Sequence, residues 1–214
     1  MNIFKTIFIT ILLIALTGSV RAGEFSIRAD AVSRYVWRGT DFGNAAAVQP
    51  SIAYTKGNLE VGAWGSWALN GAPGGNENDL YASYSFNNFS FTVTDYFFPT
   101  FTGNDMFDDY GETGGHVVET AIGASFSKFS ILAAINVIGA DTDNSKYIEF
   151  GYELISEEDI SASLVLGAGD YAYVMEESFN VVNAGITISK GMYSAAYIIN
   201  PDQKTSFLTF AISI

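Results

Sequence analysis

Apolar and polar side chains alternate along most of the chain, and the segment from Glu24 to Arg38 shows the pattern clearly. One face of this segment carries Phe25, Ile27, Ala29, Ala31, Tyr35 and Trp37, and the other carries Ser26, Arg28, Asp30, Arg34 and Arg38. Because successive side chains of a β-strand point to opposite faces, this period of two predicts a strand. An apolar face that ends in Tyr35 and Trp37 is typical of a lipid-facing stripe that reaches an aromatic girdle. Similar segments recur to the end of the chain and predict about twelve strands.

The connections between these segments alternate in length. Short turns are predicted at 56–58, 87–88, 127–128, 157–159 and 189–191, and longer loops at 39–47, 70–79, 100–115, 141–145, 175–178 and 201–204. Short turns at one end, longer loops at the other and both termini at the short-turn end are typical of an antiparallel, up-and-down transmembrane β-barrel. In that arrangement Leu164 and Ile186 are predicted to face lipid, and Ser163 and Thr187 the lumen.

The N-terminal residues have the pattern of a secretory signal. Lys5 supplies the positive charge, and 7–16 form an apolar run too short to cross a bilayer, which needs about 20 residues. Val20, Arg21 and Ala22 then form a cleavage site with Gly23 as the expected new N-terminus. The prediction is a cleaved signal peptide over 1–22 and a single barrel domain over 23–214, exported to the periplasm and inserted into a bacterial outer membrane.

Composition narrows the classes of function. Without the predicted signal, which holds Lys5 and Arg21, 8 basic residues remain against 23 acidic ones, for a net charge of −15. Such a charge argues against nucleic-acid binding, which needs basic surface to meet phosphates. The absence of cysteine excludes disulfides and thiolate metal sites. A soluble β-sandwich would share this composition, but the polar faces are mostly Ser, Thr, Gly, Ala and Asn, which favours a confined lumen over an open surface.

Three short segments resemble a known family. They are Ser33–Gly39 with its Tyr-x-Trp-Arg-Gly element, Thr94–Pro99, and His116–Gly123 with Glu119. These segments are similar to elements of the TorF or Gcw_chp family of bacterial outer-membrane porins. The resemblance extends over the whole mature chain, and it implies an outer-membrane location and a pore-like role without naming a solute.

Several charged residues are predicted to face the lumen, because at mid-depth a lipid-facing Arg costs about 2–4 kcal/mol. They are Arg28, Asp30, Arg34, Arg38, Glu60, Glu119, Glu149 and Glu153. The three arginines would form a positive stripe on the first strand, opposite carboxylates on three other strands. One interpretation is a charged constriction that selects solutes. The other is a network of arginines and carboxylates that fills and rigidifies the interior.

The remaining candidates for chemistry are weak. His116 is the only histidine, and on a strand its side chain and that of Glu119 point to opposite faces, so no catalytic pair forms and no enzyme is predicted. Oxygen-rich loops can hold Ca²⁺ or Mg²⁺, and one loop carries Asp105, Asp108, Asp109 and Glu112, while another carries Asp141 and Asp143. No EF-hand spacing is present, so these are interpreted as solvated acidic loops, and no cofactor is expected.

Together these patterns predict a porin-like channel for small solutes with weak cation preference. The alternative is a non-conducting structural or adhesion barrel whose surface loops carry the function. The expected partners are outer-membrane lipid and lipopolysaccharide, the barrel-assembly machinery during insertion, and small solutes.

Overall fold

The computed structural model describes residues 23–71, 75–99, 107–175 and 178–214. The predicted signal peptide, and with it the predicted cleavage site, lies outside these residues. The described chain forms a closed barrel of twelve antiparallel strands, so the predicted fold class is confirmed. No helix long and apolar enough to cross a membrane occurs in this part of the chain.

Twelve strands form the barrel wall and two short ones form a separate hairpin. The wall comprises β1 (Glu24–Val32), β4 (Ala47–Lys56), β5 (Leu59–Ala68), β6 (Asn76–Phe86), β7 (Phe89–Phe97), β8 (His116–Phe126), β9 (Phe129–Gly139), β10 (Lys146–Ser156), β11 (Ile160–Gly169), β12 (Asn180–Lys190), β13 (Tyr193–Asn200) and β14 (Thr205–Ser213). The hairpin comprises β2 (Tyr35–Trp37) and β3 (Thr40–Phe42). Consecutive wall strands pair with each other throughout, and a single 3-10 turn, Tyr171–Tyr173, follows β11.

The alternation seen in the sequence sorts side chains between the two faces of the wall. Leu164 pairs with Ile186 and is 41% exposed on the outer face, while Ser163 pairs with Thr187 on the inner face. Large apolar side chains such as Phe25, Phe91 and Leu208 are also exposed outward. A bilayer solvates such a surface, so the barrel is compatible with an outer-membrane protein. The connections sort as predicted, with the tight turns at one end, here called the short-turn end, and the longer connections at the other, the long-loop end.

The barrel closes through a short seam between β1 and β14. Only Asp30, Ala31 and Val32 of β1 pair with β14, whereas all nine residues of β1 pair with β4. The first half of β1 therefore extends past the end of β14 at the short-turn end. One backbone hydrogen bond from Ser33 to Phe210, and two between Ala29 and Ile214, extend the seam beyond the last paired residues.

The first strand is shorter than predicted, and the chain after it turns inward. β1 ends at Val32 instead of Arg38, and the hairpin β2–β3 follows within the long connection to β4. Arg38 and Gly39 form its two-residue turn with φ values of 48° and 79°. Positive φ at both central residues matches the twist of paired strands, which explains the sharp reversal. Tyr35 and Trp37 accordingly lie inside the barrel, so their predicted place in a lipid-facing girdle is wrong.

Candidate functional site

The candidate site is the long-loop half of the lumen, where the hairpin β2–β3 packs against several wall strands. Gly39 lies so close to β12 that a Cβ built on it would be 1.9 Å from the carbonyl oxygen of Val182. Asn200 on β13 donates from Nδ2 to the Gly39 carbonyl at 3.2 Å, and Gln203 donates to the Thr40 hydroxyl at 3.4 Å. Because glycine has no Cβ, it allows both the positive φ at position 39 and the close approach of the hairpin to β12.

The centre of the site is a buried ion pair between Arg38 and Glu119. Arg38 donates from both terminal nitrogens to the two carboxylate oxygens, with Nη2 to Oε1 at 3.0 Å. The two side chains are only 9% and 4% exposed. Two tyrosine hydroxyls also donate hydrogen bonds to the Glu119 carboxylate. Tyr96 donates to Oε1 at 3.1 Å, and Tyr173 donates to Oε2 at 3.4 Å. This bidentate geometry ties the hairpin to β8 on the far side of the lumen.

Aromatic rings surround the Arg38 guanidinium. Its Cζ lies 4.3 Å from the centroid of Trp37 and 4.2 Å from that of Tyr147, distances at which cation–π attraction operates. Burial opposes the charge, but the hydrogen bonds to Glu119 together with the electrostatic attraction of Tyr173, Glu119 and Tyr96 outweigh it. The pKa of Arg38 is therefore raised, and the side chain stays protonated. Burial also raises the pKa of Tyr173 to about 12, which keeps its hydroxyl protonated at neutral pH.

A second polar cluster lies beside the hairpin on the strands β4 to β6. Tyr35 donates its hydroxyl to Glu77 at 2.8 Å, and Gln49 donates to Ser66 at 3.2 Å. Glu77 is 3% exposed, and the neighbouring inward residue on β6 is Asp79. The sequence does not predict this site, because Glu77 falls within the predicted loop 70–79. The strand β6 in fact begins at Asn76.

The three segments that carry the family resemblance meet in this half of the lumen. Trp37 from the first lies 5.4 Å from Tyr96 of the second, measured between ring centroids. Arg38 from the first binds Glu119 of the third, and Tyr96 binds the same carboxylate. Segments far apart in sequence thus build one structure.

The predicted lumen residues occupy different depths. Arg28 and Asp30 are on β1, and Arg28 pairs with Ser51 toward the short-turn end. Glu60 accepts hydrogen bonds from Tyr81 at 2.9 Å and from Thr55 at 3.2 Å.

The carboxylates of β10 follow the same inward face. Glu149 accepts a hydrogen bond from Tyr147 at 2.6 Å. Glu153 lies four residues further along β10, nearer the short-turn end, and is exposed. The structure brings Arg38 and Glu119 together, but it leaves Glu60, Glu149 and Glu153 at separate places along the wall.

The predicted positive stripe on the first strand is wrong in its geometry. Only Arg28 belongs to β1, because the strand ends before Arg34. Arg34 forms an ion pair with Asp41 of the hairpin, and its Cζ lies 5.7 Å from the centroid of Phe207. Two of the three arginines are therefore paired with a carboxylate in the hairpin region.

His116 lies on the outer face of the wall, opposite to Glu119, as the alternation predicts. Its side chain is fully buried, with Nδ1 at 2.9 Å from Asp95 and Nε2 at 2.8 Å from the carbonyl oxygen of Phe107. The ring of Tyr110 stacks on it at 4.1 Å, and the Tyr110 hydroxyl donates to Asp95 at 2.6 Å. Burial and the contact with Asp95 raise the pKa of Tyr110. This cluster fastens the described end of the connection between β7 and β8, at Phe107 and Tyr110, to the outside of the barrel.

The acidic loops do not form a metal site in the part of the chain that is described. Asp105 lies outside the described residues. No group of three or more potential ligands comes together among the residues that are described, which include Asp108, Asp109 and Glu112. Asp141 instead accepts backbone hydrogen bonds from Asp143 at 3.2 Å and from Ser145 at 3.0 Å, so it shapes its own loop.

The two halves of the lumen differ in what they can do. The hairpin and its aromatic neighbours fill the long-loop half, whereas inward serines such as Ser125, Ser130 and Ser163 are exposed in the short-turn half. Above the hairpin lies a cavity of about 560 Å³, here called the vestibule, whose lining includes Trp37, Phe42, Tyr96, Phe98, Asn136, Asp141, Asp143 and Tyr173. The arrangement is a narrowed barrel with an aromatic and acidic mouth.

Comparison with known proteins supports the fold and the family. The family described as "Bacterial protein of unknown function (Gcw_chp)" matches residues 18–213. No curated protein matches the chain. A solved chain from a study of the in-meso crystallization of membrane proteins is similar in fold, with a TM-score of 0.52 and 8% identity over 90% of this chain and 83% of that chain.

Proposed function

The chain belongs to the Gcw_chp family of bacterial proteins, and from its closed barrel we propose that it is a porin-like channel of the bacterial outer membrane. The observation that carries this proposal is a barrel whose outer face is apolar and whose short-turn half is lined by exposed serines. An apolar outer band requires lipid, and a polar lumen suits water and small solutes. Export to the periplasm, insertion by the barrel-assembly machinery and contact with lipopolysaccharide follow from that location.

The hairpin β2–β3 is the constriction of the proposed channel. It crosses the long-loop half of the lumen and is held there by the Arg38–Glu119 pair and by the contact of Gly39 with β12. Its aromatic side chains narrow the lumen at this level, so any solute that passes must be small. The barrel would therefore pass ions and small molecules with low conductance.

The charge distribution favours weak cation selectivity. Arg38 and Arg34 are each neutralised by a carboxylate, which leaves Arg28 against Asp30, Glu60, Glu149 and Glu153 along the inner face. The long-loop end adds the acidic residues Asp108, Asp109, Glu112, Asp141 and Asp143. These carboxylates concentrate cations at the mouth, and salt screens the effect over a Debye length of about 10 Å at 0.1 M.

A second candidate function is a non-conducting structural or adhesion barrel. The observation that favours it is the filling of the long-loop half, where Arg38, Tyr147 and Tyr173 are in mutual contact. If the hairpin never leaves this position, the surface loops would carry the function instead of the lumen.

Conductance separates the two candidates. The full mature chain, purified and refolded, is inserted into a planar bilayer, and reversal potentials are measured across a salt gradient. We expect small, stable conductance steps with weak cation preference that fades at high salt. Arg34→Ala should increase this preference because it exposes the charge of Asp41, whereas Lys128→Ala on a tight turn is the matched control and should change it little. Absence of conductance would favour the non-conducting barrel, and anion selectivity would refute the assigned charge control.

A further inference from the structure

We infer that the vestibule binds an organic cation, a primary ammonium or amidinium group attached to an apolar body. The vestibule lies above the hairpin, between the ends of β7, β8 and β9 and the 3-10 turn. Its volume of about 560 Å³ falls in the range of small-molecule sites. The inference deepens the proposed channel by naming its solute class, but binding itself does not require an open pore.

Aromatic rings form the walls of the vestibule. Trp37 lies 6.0 Å from Tyr173, and the rings of Phe42 and Phe98 are stacked at 6.2 Å, measured between centroids. Tyr96 lies 6.5 Å from Phe98 and continues this surface. Such walls bind an apolar body, and their faces attract a cation placed over them.

A buried amide supplies an acceptor that has no partner in the described chain. Asn136 lines the vestibule and is 5% exposed, and its Nδ2 donates to Asp141 at 2.7 Å. Because a carboxylate can only accept, this bond fixes the orientation of the amide and leaves Oδ1 as the free acceptor. Oδ1 has no hydrogen-bond partner, and an unpaired buried acceptor costs about 1–3 kcal/mol. A ligand N–H does not reach Oδ1 in this conformation, because the atom has almost no accessible surface, but the negative end of the amide dipole lies beside the wall and favours a cation there.

The charge of the lining selects a cation over a neutral or anionic ligand. The carboxylates of Asp141 and Asp143 lie at the rim, and no Lys, Arg or His is among the described residues of the lining. Arg38 lies below the vestibule, where Glu119 neutralises it. A ligand with an apolar body and a positive charge matches both the aromatic walls and the acidic residues of the lining.

The test is calorimetric titration of the refolded full chain in detergent micelles at pH 7. The probe is benzylammonium, and benzyl alcohol is the neutral control of similar shape, which also corrects for partition into the micelle. We expect saturable binding of benzylammonium only, weakened by added NaCl. Asp143→Asn should weaken it about fivefold, as expected for one partly screened charge, whereas Asp159→Asn on a tight turn at the opposite end should not.

Other outcomes would overturn the inference without touching the proposed channel. Equal heats for benzylammonium and benzyl alcohol would show that charge plays no part. The same affinity in the Asp143→Asn and Asp159→Asn variants would place binding elsewhere. Saturable binding of glucose without saturable binding of benzylammonium would show that the chain binds a neutral polyol and not an organic cation. Conductance measured in parallel decides the proposed channel separately, because it does not depend on these titrations.

Discussion

The buried pair Arg38–Glu119 should stabilise the protein through strong mutual coupling, which a double-mutant cycle measures. Glu119→Gln leaves the Arg38 cation buried without its counter-charge, and such a loss costs about 3–5 kcal/mol. Arg38→Met keeps the volume but leaves the Glu119 carboxylate with only the hydroxyls of Tyr96 and Tyr173. The double variant removes both charges together. Its loss should therefore fall short of the sum of the single losses by about 2–3 kcal/mol.

The chain contains its own control for this cycle. A second ion pair of the same chemistry joins Arg34, which directly precedes the hairpin, to Asp41 within it. The side chains of this pair are 34% and 17% exposed. Solvent screens a pair in that position, so the coupling between Arg34→Met and Asp41→Asn should be about 0.5 kcal/mol. The Arg38–Glu119 and Arg34–Asp41 pairs both involve the hairpin, so the main difference between them is the burial of their side chains.

The assay is urea unfolding of the refolded barrel in phospholipid vesicles, followed by tryptophan fluorescence. Trp37 contacts Arg38 directly, so this signal includes the hairpin. If Glu119→Gln fails to fold, Arg38→Lys provides a milder step, because it keeps the charge and loses the bidentate geometry. Additive losses at Arg38 and Glu119, or coupling no larger than in the Arg34–Asp41 cycle, would refute the reasoning.

Two further predictions concern register and the hairpin turn. A cysteine at Ser163 should react faster with a water-soluble thiol reagent than one at Leu164, since alternation places only the former in the lumen; the reverse order would contradict the register. Gly39→Ala should displace the hairpin, because its Cβ would meet the Val182 carbonyl at 1.9 Å in a backbone of positive φ, and we expect higher conductance and faster proteolysis near Arg38. Unchanged conductance and cleavage would show that the hairpin docks by other contacts.

The wall of the barrel was predictable because its signal is local. Alternation fixes the face of each side chain, and Ser163 and Leu164 needed only their own strand to be assigned. The tight turns carry their own chemistry, as at Gly57 and Gly191 with their positive φ. Strand number and direction follow from these two patterns together.

The hairpin was missed because it carries the same period of two as the strand before it. Tyr35 and Trp37 are in register with Phe25 and Ile27 and are flanked by Arg34 and Arg38, so the pattern alone continues the strand. The distinguishing contact joins Arg38 to Glu119, 81 residues away, which no local pattern shows. Only the residue pair Arg38–Gly39 gave a local hint of a two-residue turn.

The outer cluster at His116 could not be predicted for a similar reason, because its members come from separate parts of the chain. The burial of His116 depends on Tyr110, whose ring stacks on it from the connection between β7 and β8. Asp95 interrupts the apolar outer face of β7, but the strand continues through it to Phe97. A charged residue on an outer face becomes acceptable once a loop supplies a partner.

The short seam between β1 and β14 has a consequence for the order of folding. Every other pairing in the wall joins neighbours in sequence, whereas this one joins the two ends of the barrel and carries the largest entropy of loop closure. The three paired residues of β1 offset only a small part of that entropy cost. The hairpin leaves β1 at the seam and contacts β12 and β13 on its other side, through Val182 and Asn200. The hairpin thus links the two ends of the barrel. We therefore expect closure of the barrel and docking of the hairpin in the lumen to occur together, as one late step of folding.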